Sequence, residues 1–382
     1  MNHARFGGST MARTLACAGW AKLADTMPRQ KAGVFAHEGS LLHECMEETY
    51  GPNETLFEDM LEQGRHHENV YLTQEHIDEK LVPAEAAVEE VFTRYGVVGD
   101  FHIEPFVELI PDLAAGSIDM LMFSDNGNTA VILDYKFGFN QVDPEANAQL
   151  MFYALCASID LQFSDKFKTV EKIALVIIQP TGEGDTLNIW ETTKTELDVF
   201  HNNVVVAISA AEGKAPLLSA GDHCRYCPAA AVCPEKTGEA HNALMLDPSH
   251  LPTLQEALPL ALALEDWVRE VKNFAHEQAE LGVHIEGFKL VAKRSTRSWN
   301  DVEAVTDKIR KSRGLLMDDA FDMKLKSPAQ LEKVCKTKKV DFKTYADYIS
   351  SISSGSTLVR DSDKRNELIA LDSFDELAKL IN

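Results

Sequence analysis

Asp119, Asp134 and Lys136 constrain this chain more than any other feature of its sequence. Residues 117–123 alternate apolar and polar, and 130–135 form a short apolar run, the pattern of two successive strands. Between them, Asp125-Asn-Gly-Asn128 is a strong hairpin turn. Asp119 therefore falls on one strand of a hairpin. Asp134 and Lys136, two apart on the partner strand, point to one face. Two carboxylates and an ammonium gathered at a strand end suit a hard divalent cation, Mg²⁺ or Mn²⁺, held through oxygen. Such an ion polarises a phosphate and makes bound water a nucleophile. Lys136 would position that water or neutralise the charge that develops. An isolated Asp-x-Lys is equally explained by an ordinary salt bridge, so the surrounding sequence has to decide.

The surroundings alternate helix and strand periods. Residues 38–50 read as a helix carrying Leu41, Leu42, Cys45 and Met46, and 83–95 as another. Residues 101–109 read as one strand and 172–179 as another, with a helix over 146–158 between them in sequence. Helix is expected over 191–211 and over 252–281. A strand over 285–292 and mixed helix follow, with a Ser-rich linker at 350–356.

In this frame Glu38-Gly39-x-x-x-His43, Gly116-Ser-Ile-Asp119, Asp134-Tyr-Lys136 and Gln149-x-x-x-Tyr153 occur in order. The set resembles the PD-(D/E)XK nuclease superfamily in its RecB and lambda-exonuclease branch. One departure is Ile118, where the superfamily name calls for proline. The resemblance implies a restriction-endonuclease-like mixed α/β sheet flanked by helices. It also implies metal ligation by His43, Asp119, Asp134 and the Tyr135 carbonyl, and a supporting acidic position at Glu108. Gln149 and Tyr153, four apart on one helix face, would orient Lys136 or the phosphate. The implied activity is Mg²⁺- or Mn²⁺-dependent DNA hydrolysis, exonucleolytic, in phage recombination or end processing.

Seven cysteines is an odd number, and three are clustered as Cys224-x2-Cys227-x5-Cys233-Pro. Thiolates so close favour zinc or an iron–sulfur cluster, and either needs a fourth ligand. Cys17, ahead of His43, is the natural candidate, with Cys45 as its rival. One cysteine before the core and three after it is similar to the iron–sulfur nucleases of the branch, such as AddB and the CRISPR-associated exonucleases. That likeness implies a 4Fe–4S cluster on Cys17, Cys224, Cys227 and Cys233, with Zn²⁺ as the alternative. Cys45, Cys156 and Cys335 read as plain core or surface thiols.

A formal net charge of -23 argues against loose whole-surface binding of nucleic acid. The charge is uneven: residues 285–343 hold fifteen Lys/Arg against nine Asp/Glu. There the segment Gly287 to Trp299, with Phe288, interleaves basic and aromatic residues, which is either a phosphate- and base-gripping strand or a solvated edge with one packed Trp. The Lys333, Lys336, Lys338 and Lys339 cluster reads as solvated surface. The domain expectation is a nuclease domain over 1–242 and a mostly helical DNA- or partner-binding region over 243–382. That region and the N-terminal pattern together resemble an uncharacterised phage-borne family. The expected partners are DNA and a phage recombination or single-strand annealing protein. No run is long and apolar enough to span a membrane, and cytoplasmic placement is expected, in the host cytoplasm for a phage-borne chain. A second class of reading stays open: a nuclease-fold module that holds DNA or a partner without cutting.

Overall fold

The computed structural model describes residues 4–28, 33–52, 54–181, 184–244, 253–292, 296–312, 314, 317–322, 324–352 and 356–360. The chain divides into two compact units, Met1–Trp267 and Val268–Asn382. The division falls later than the expected 242/243 boundary, inside a continuous helix, Leu254–Glu280.

The first unit is built on a five-stranded mixed sheet. Its strands are β1 (Phe101–Ile103), β4 (Met120–Phe123), β5 (Thr129–Tyr135), β6 (Lys172–Ile178) and β7 (Leu187–Thr193). Two further strands, β2 (Phe106–Ile110) and β3 (Ala114–Ser117), pair with each other outside that sheet. The sheet runs β1-β4-β5-β6-β7, and the β5–β6 contact is its parallel one. A parallel pair needs a crossover. Helix α4 (Ala148–Ile159) lies in that connection, begun by Asn147, whose side chain accepts from the Gln149 and Leu150 N–H groups.

Both faces of the sheet are covered, as expected for strands that are apolar throughout. On one face, Leu121, Ala130, Ile132, Leu175 and Ile177 pack with α1 (Gly8–Ala16), α4 and α5 (Lys194–Glu212). On the other, Met120, Val131, Leu133, Tyr135 and Val176 pack with α2 (Val34–Tyr50) and α3 (Val82–Tyr95). The period of two thus sends Asp134 toward α4 and Tyr135 toward α2.

Three local expectations change. The strand expected over 101–109 is two, β1 and β2, and the one over 117–123 is interrupted at Ile118-Asp119. Residues 187–193 form β7, where only a helix from 191 was expected; the helix starts at Lys194, behind a Thr193/Glu196 capping box. Ser350 and Ser351 lie in a strand rather than a linker, and 353–355 lie outside the described residues.

The second unit is mixed rather than mostly helical. Strand β8 (Phe288–Ala292) pairs with β11 (Ser356–Arg360), and β9 (Thr296–Trp299) with β10 (Ile349–Ile352). Helices α7 (Val302–Arg310) and α8 (Pro328–Lys338), which follow α6 (Leu254–Glu280), supply a small core of Val305, Ile309, Leu331 and Cys335 with Tyr345. Trp299 is packed against that core and donates Nε1–H to the Lys326 carbonyl at 2.9 Å. Lys293 and Arg294 lie outside the described residues. Among the described residues no helix is long and apolar enough to cross a membrane.

Candidate active site

The two interruptions in the strands face each other. β1 and β4 pair within the main sheet, β2 and β3 pair outside it, and the hairpin changes sheets at Glu104-Pro105 on one arm and Ile118-Asp119 on the other. The arms stay joined there: Glu104 N–H donates to the Asp119 carbonyl at 3.2 Å, and Ile118 N–H to the Pro105 carbonyl at 3.2 Å. Glu104 takes a left-handed φ of 46°, rare for a non-glycine residue. Irregularities of this kind re-aim side chains beside active sites.

The result is a compact ligand set. One ligand atom each from His43, Glu104 and Asp119 lies within 4.8 Å of the others, close enough to share one ion at ordinary metal–oxygen distances of about 2.0–2.6 Å. Asp119 Oδ2 accepts from the Tyr135 N–H at 2.6 Å and lies 3.3 Å from His43 Nδ1. His43, on α2, is wedged edge-on against the rings of Tyr135 and Phe137, at 6.0 and 5.5 Å between centroids.

Asp134 adjoins this set from the centre of the sheet and is 2% exposed. Its Oδ2 forms an ion pair with Lys136 Nζ at 2.6 Å. Gln149, on the first turn of α4, joins the two residues. Its Oε1 accepts from Lys136 Nζ at 3.1 Å, and its Nε2 donates to Asp134 Oδ1 at 2.7 Å and to Tyr153 Oη at 3.3 Å. The amide is thereby oriented, and Gln149 and Tyr153 stand where the helix spacing put them.

Electrostatics separate the carboxyls. Burial raises the Asp134 pKa to about 6, and the Asp119 charge adds to the effect while Lys136 opposes it. Asp119 is also buried, but His43 and the Tyr135 N–H outweigh that and keep it below the usual range. Burial, reinforced by Asp119, pushes Glu104 up to about 7. Burial alone would lower His43; the charge and hydrogen bond of Asp119, with Asp134 behind, lift it to about 9. Like charges held this close favour a shared cation or retained protons.

Of the residues expected from sequence, His43, Asp119, Asp134, Lys136, Gln149 and Tyr153 come together. Glu108 does not join them. It sits on β2 opposite Ala115, and Glu104 supplies the acidic group instead. Glu38 is not part of the ligand set; it is paired with Lys80 and His76.

Cys17, Cys224, Cys227 and Cys233 gather on a second patch. The Ser219 N–H points at Cys17 Sγ at 3.5 Å, and Cys224 Sγ points at the Ser219 carbonyl at 4.0 Å. Arg13, on α1, reaches this patch. It donates to the Tyr226 carbonyl between Cys224 and Cys227 and lies 4.9 Å over the Trp20 ring; burial lowers its pKa, with Cys227, Cys224 and Cys17 opposing. Its Nε is buried without a hydrogen-bond partner. Cys45 belongs to the core on the other face of the sheet, which removes it as fourth ligand. Cys156 and Cys335 are fully buried in apolar surroundings.

Residues 3–366 match the model of a family described as "Protein of unknown function (DUF2800)". A solved structure described as SSO0001 aligns at 12% identity over 59% of this chain and 84% of its own, with a TM-score of 0.25. That score is too low to bear on fold or function.

Proposed function

The chain belongs to the DUF2800 family, and from that premise we propose that its first unit is a metal-dependent deoxyribonuclease. One observation carries the reading. The half-buried Asp119, His43 and Glu104 make a ligand set for one ion, beside an Asp134–Lys136 pair braced by Gln149. An ordinary structural ion pair needs neither the histidine nor two further carboxyls beside it, one of them raised toward neutral pH.

In this reading His43, Glu104, Asp119, Asp134 and the Tyr135 carbonyl would hold Mg²⁺ or Mn²⁺. The bound ion would supply Lewis-acid activation of a phosphodiester. Lys136 Nζ would hold the attacking water, with Gln149 fixing the ammonium and Tyr153 fixing Gln149. The α4 helix would thus set the water's position through two side chains. Exonucleolytic action on DNA ends, in recombination or end processing, is the form the motif resemblance implies.

For the cysteine patch we propose a 4Fe–4S cluster on Cys17, Cys224, Cys227 and Cys233, tying the start of the unit to its end. Zn²⁺ on the same four thiolates is the alternative.

The test is loss of end-labelled linear DNA in Mg²⁺, with a circular molecule of the same sequence alongside. Cutting that Asp134→Ala and Lys136→Ala abolish supports the enzyme. Equal turnover by all three proteins, or binding with no cutting by any, would leave the non-cleaving module as the better reading.

A further inference from the structure

Two exposed aromatic rings stand on hydrogen-bonded loops, and one of them follows the candidate site's Lys136 closely in the chain. Phe139 follows Lys136 by three residues, and its ring is 72% exposed. Its loop is clamped by the buried Gln179, whose Nε2 donates to the carbonyls of Gly138 at 2.6 Å and Asn140 at 2.8 Å. Gln179 Oε1 accepts from the Val142 N–H at 3.0 Å, and Thr181 adds a bond to Gly138. Tyr226 is 67% exposed. It is pinned through its carbonyl by Arg13, and the Cys227 N–H donates to the Cys224 carbonyl across it. The two segments touch: Asn140 Nδ2 donates to Tyr226 Oη at 3.3 Å.

Each ring carries a cation. Lys80 Nζ lies 6.0 Å from the Phe139 centroid, and the Arg225 guanidinium 5.5 Å from that of Tyr226. Lys80 is shared with Glu38, while Arg225 is exposed. Scattered exposed apolar residues mean little. Two rings on hydrogen-bonded loops, joined by the Asn140–Tyr226 bond, each beside a cation, with Phe139 three residues from Lys136, form a built surface.

Resting on the nuclease reading, we propose that Phe139 and Tyr226 form a platform on which unpaired nucleobases stack beside the scissile phosphate. The preferred substrate is then single-stranded DNA or an unpaired end. The chemistry is specific to exposed bases. Aromatic rings stack on any base face and cations follow the backbone, whereas duplex base faces are already covered by their neighbours. A chain of net charge -23 gains little from phosphate attraction over its whole surface, so stacking has to carry much of the affinity. The arrangement also gives the cysteine patch a part in substrate binding, because Tyr226 stands between two of its thiols.

The experiment is fluorescence anisotropy of the full chain with a labelled oligonucleotide, single-stranded or annealed, without divalent metal. It is paired with Mg²⁺-dependent cleavage of both forms. Phe139→Ala and Tyr226→Ala should each weaken single-strand binding by about tenfold and change duplex binding by less than about twofold. Tyr226→Phe, which keeps the ring, should retain most of the affinity. Iron content of each variant shows whether the cysteine patch is intact. Unchanged single-strand binding in Phe139→Ala, equal losses on both forms, or no nucleic-acid binding by the parent would overturn the platform. Single-strand binding that needs both rings, with no cleavage by any protein, would keep the platform and remove the nuclease. Asp134-dependent cleavage insensitive to both rings would do the reverse.

Discussion

The ring of Tyr153 lies directly on the backbone of Gly8, so that a Cβ at Gly8 would sit 2.5 Å from two ring carbons. Gly116 meets the same ring, its Cβ position being 3.0 Å away. The N-terminus of α1 thus has no room for a Cβ unless the Tyr153 ring moves, and at Gly116 in β3 the ring would have to give by a few tenths of an ångström. Through Tyr153 they set Gln149, and through Gln149 the Asp134–Lys136 pair.

Gly8→Ala should displace the Tyr153 ring and reduce Mg²⁺-dependent cleavage by about tenfold or more, with a stability loss on the order of 1–3 kcal/mol from overpacking. Gly39→Ala is the control. Nothing lies within 4 Å of its would-be Cβ, and it is a mid-helix glycine, so thermal stability should rise by about 0.5–1 kcal/mol with cleavage intact. Equal behaviour of the two variants would remove the Tyr153 linkage.

Glu104 and Glu108 make opposite forecasts. Glu104→Gln takes a ligand from the set formed with His43 and Asp119 and should weaken Mg²⁺ binding by about tenfold or more. Glu108→Gln should leave it within about twofold. Calorimetric titration of Mg²⁺ into each protein reads this directly, and a Glu108 effect as large as that of Glu104 would show that the bend at Pro105 has been misassigned.

The pH dependence follows from His43, held at about 9 against an ordinary 6.5. A raised histidine pKa stabilises the metal-free fold fully below about pH 6.5, and that contribution is lost as pH climbs through about 9. A metal ligand must shed the same proton. The Mg²⁺-induced rise in Tm should therefore grow between pH 6.5 and 9, and His43→Asn should flatten the trend. A rise that is constant across the window would contradict the histidine's place in the ligand set.

Protein purified without oxygen should be brown, absorbing near about 400 nm, and lose both colour and several degrees of Tm on iron chelation, because binding free energy is folding free energy. Cys17→Ser should lose the iron, while Cys45→Ser, in the opposite core, should keep it. Colourless protein with stoichiometric zinc would exchange one metal for the other at the same residues.

Much of the site was legible in one dimension because its spacings are those of single elements. Asp134 and Lys136 are two apart at a strand end, and Gln149 and Tyr153 are four apart on a helix; both periods carry through to the fold. The acidic ligand was not. Glu104 and Glu108 share strand parity, so alternation alone points both to one face, and the choice is made by a break in the hairpin. The Glu104-Pro105 dipeptide is the local signal, since proline has no N–H for the ladder and marks an edge or a break in a strand. Strand β7 was missed because its residues are half-exposed and run straight into a capped helix.

Periodicity and residue chemistry thus specify which groups can act: local geometry repeats along the chain, and a carboxylate, thiol or ammonium keeps its nature wherever it lies. Which of them meet is a matter of long-range packing. The hairpin's change of sheet at Glu104 and Asp119, the glycine-lined seat of Tyr153, and Cys17 brought to a segment two hundred residues on all depend on side chains far apart in sequence excluding one another from the same space.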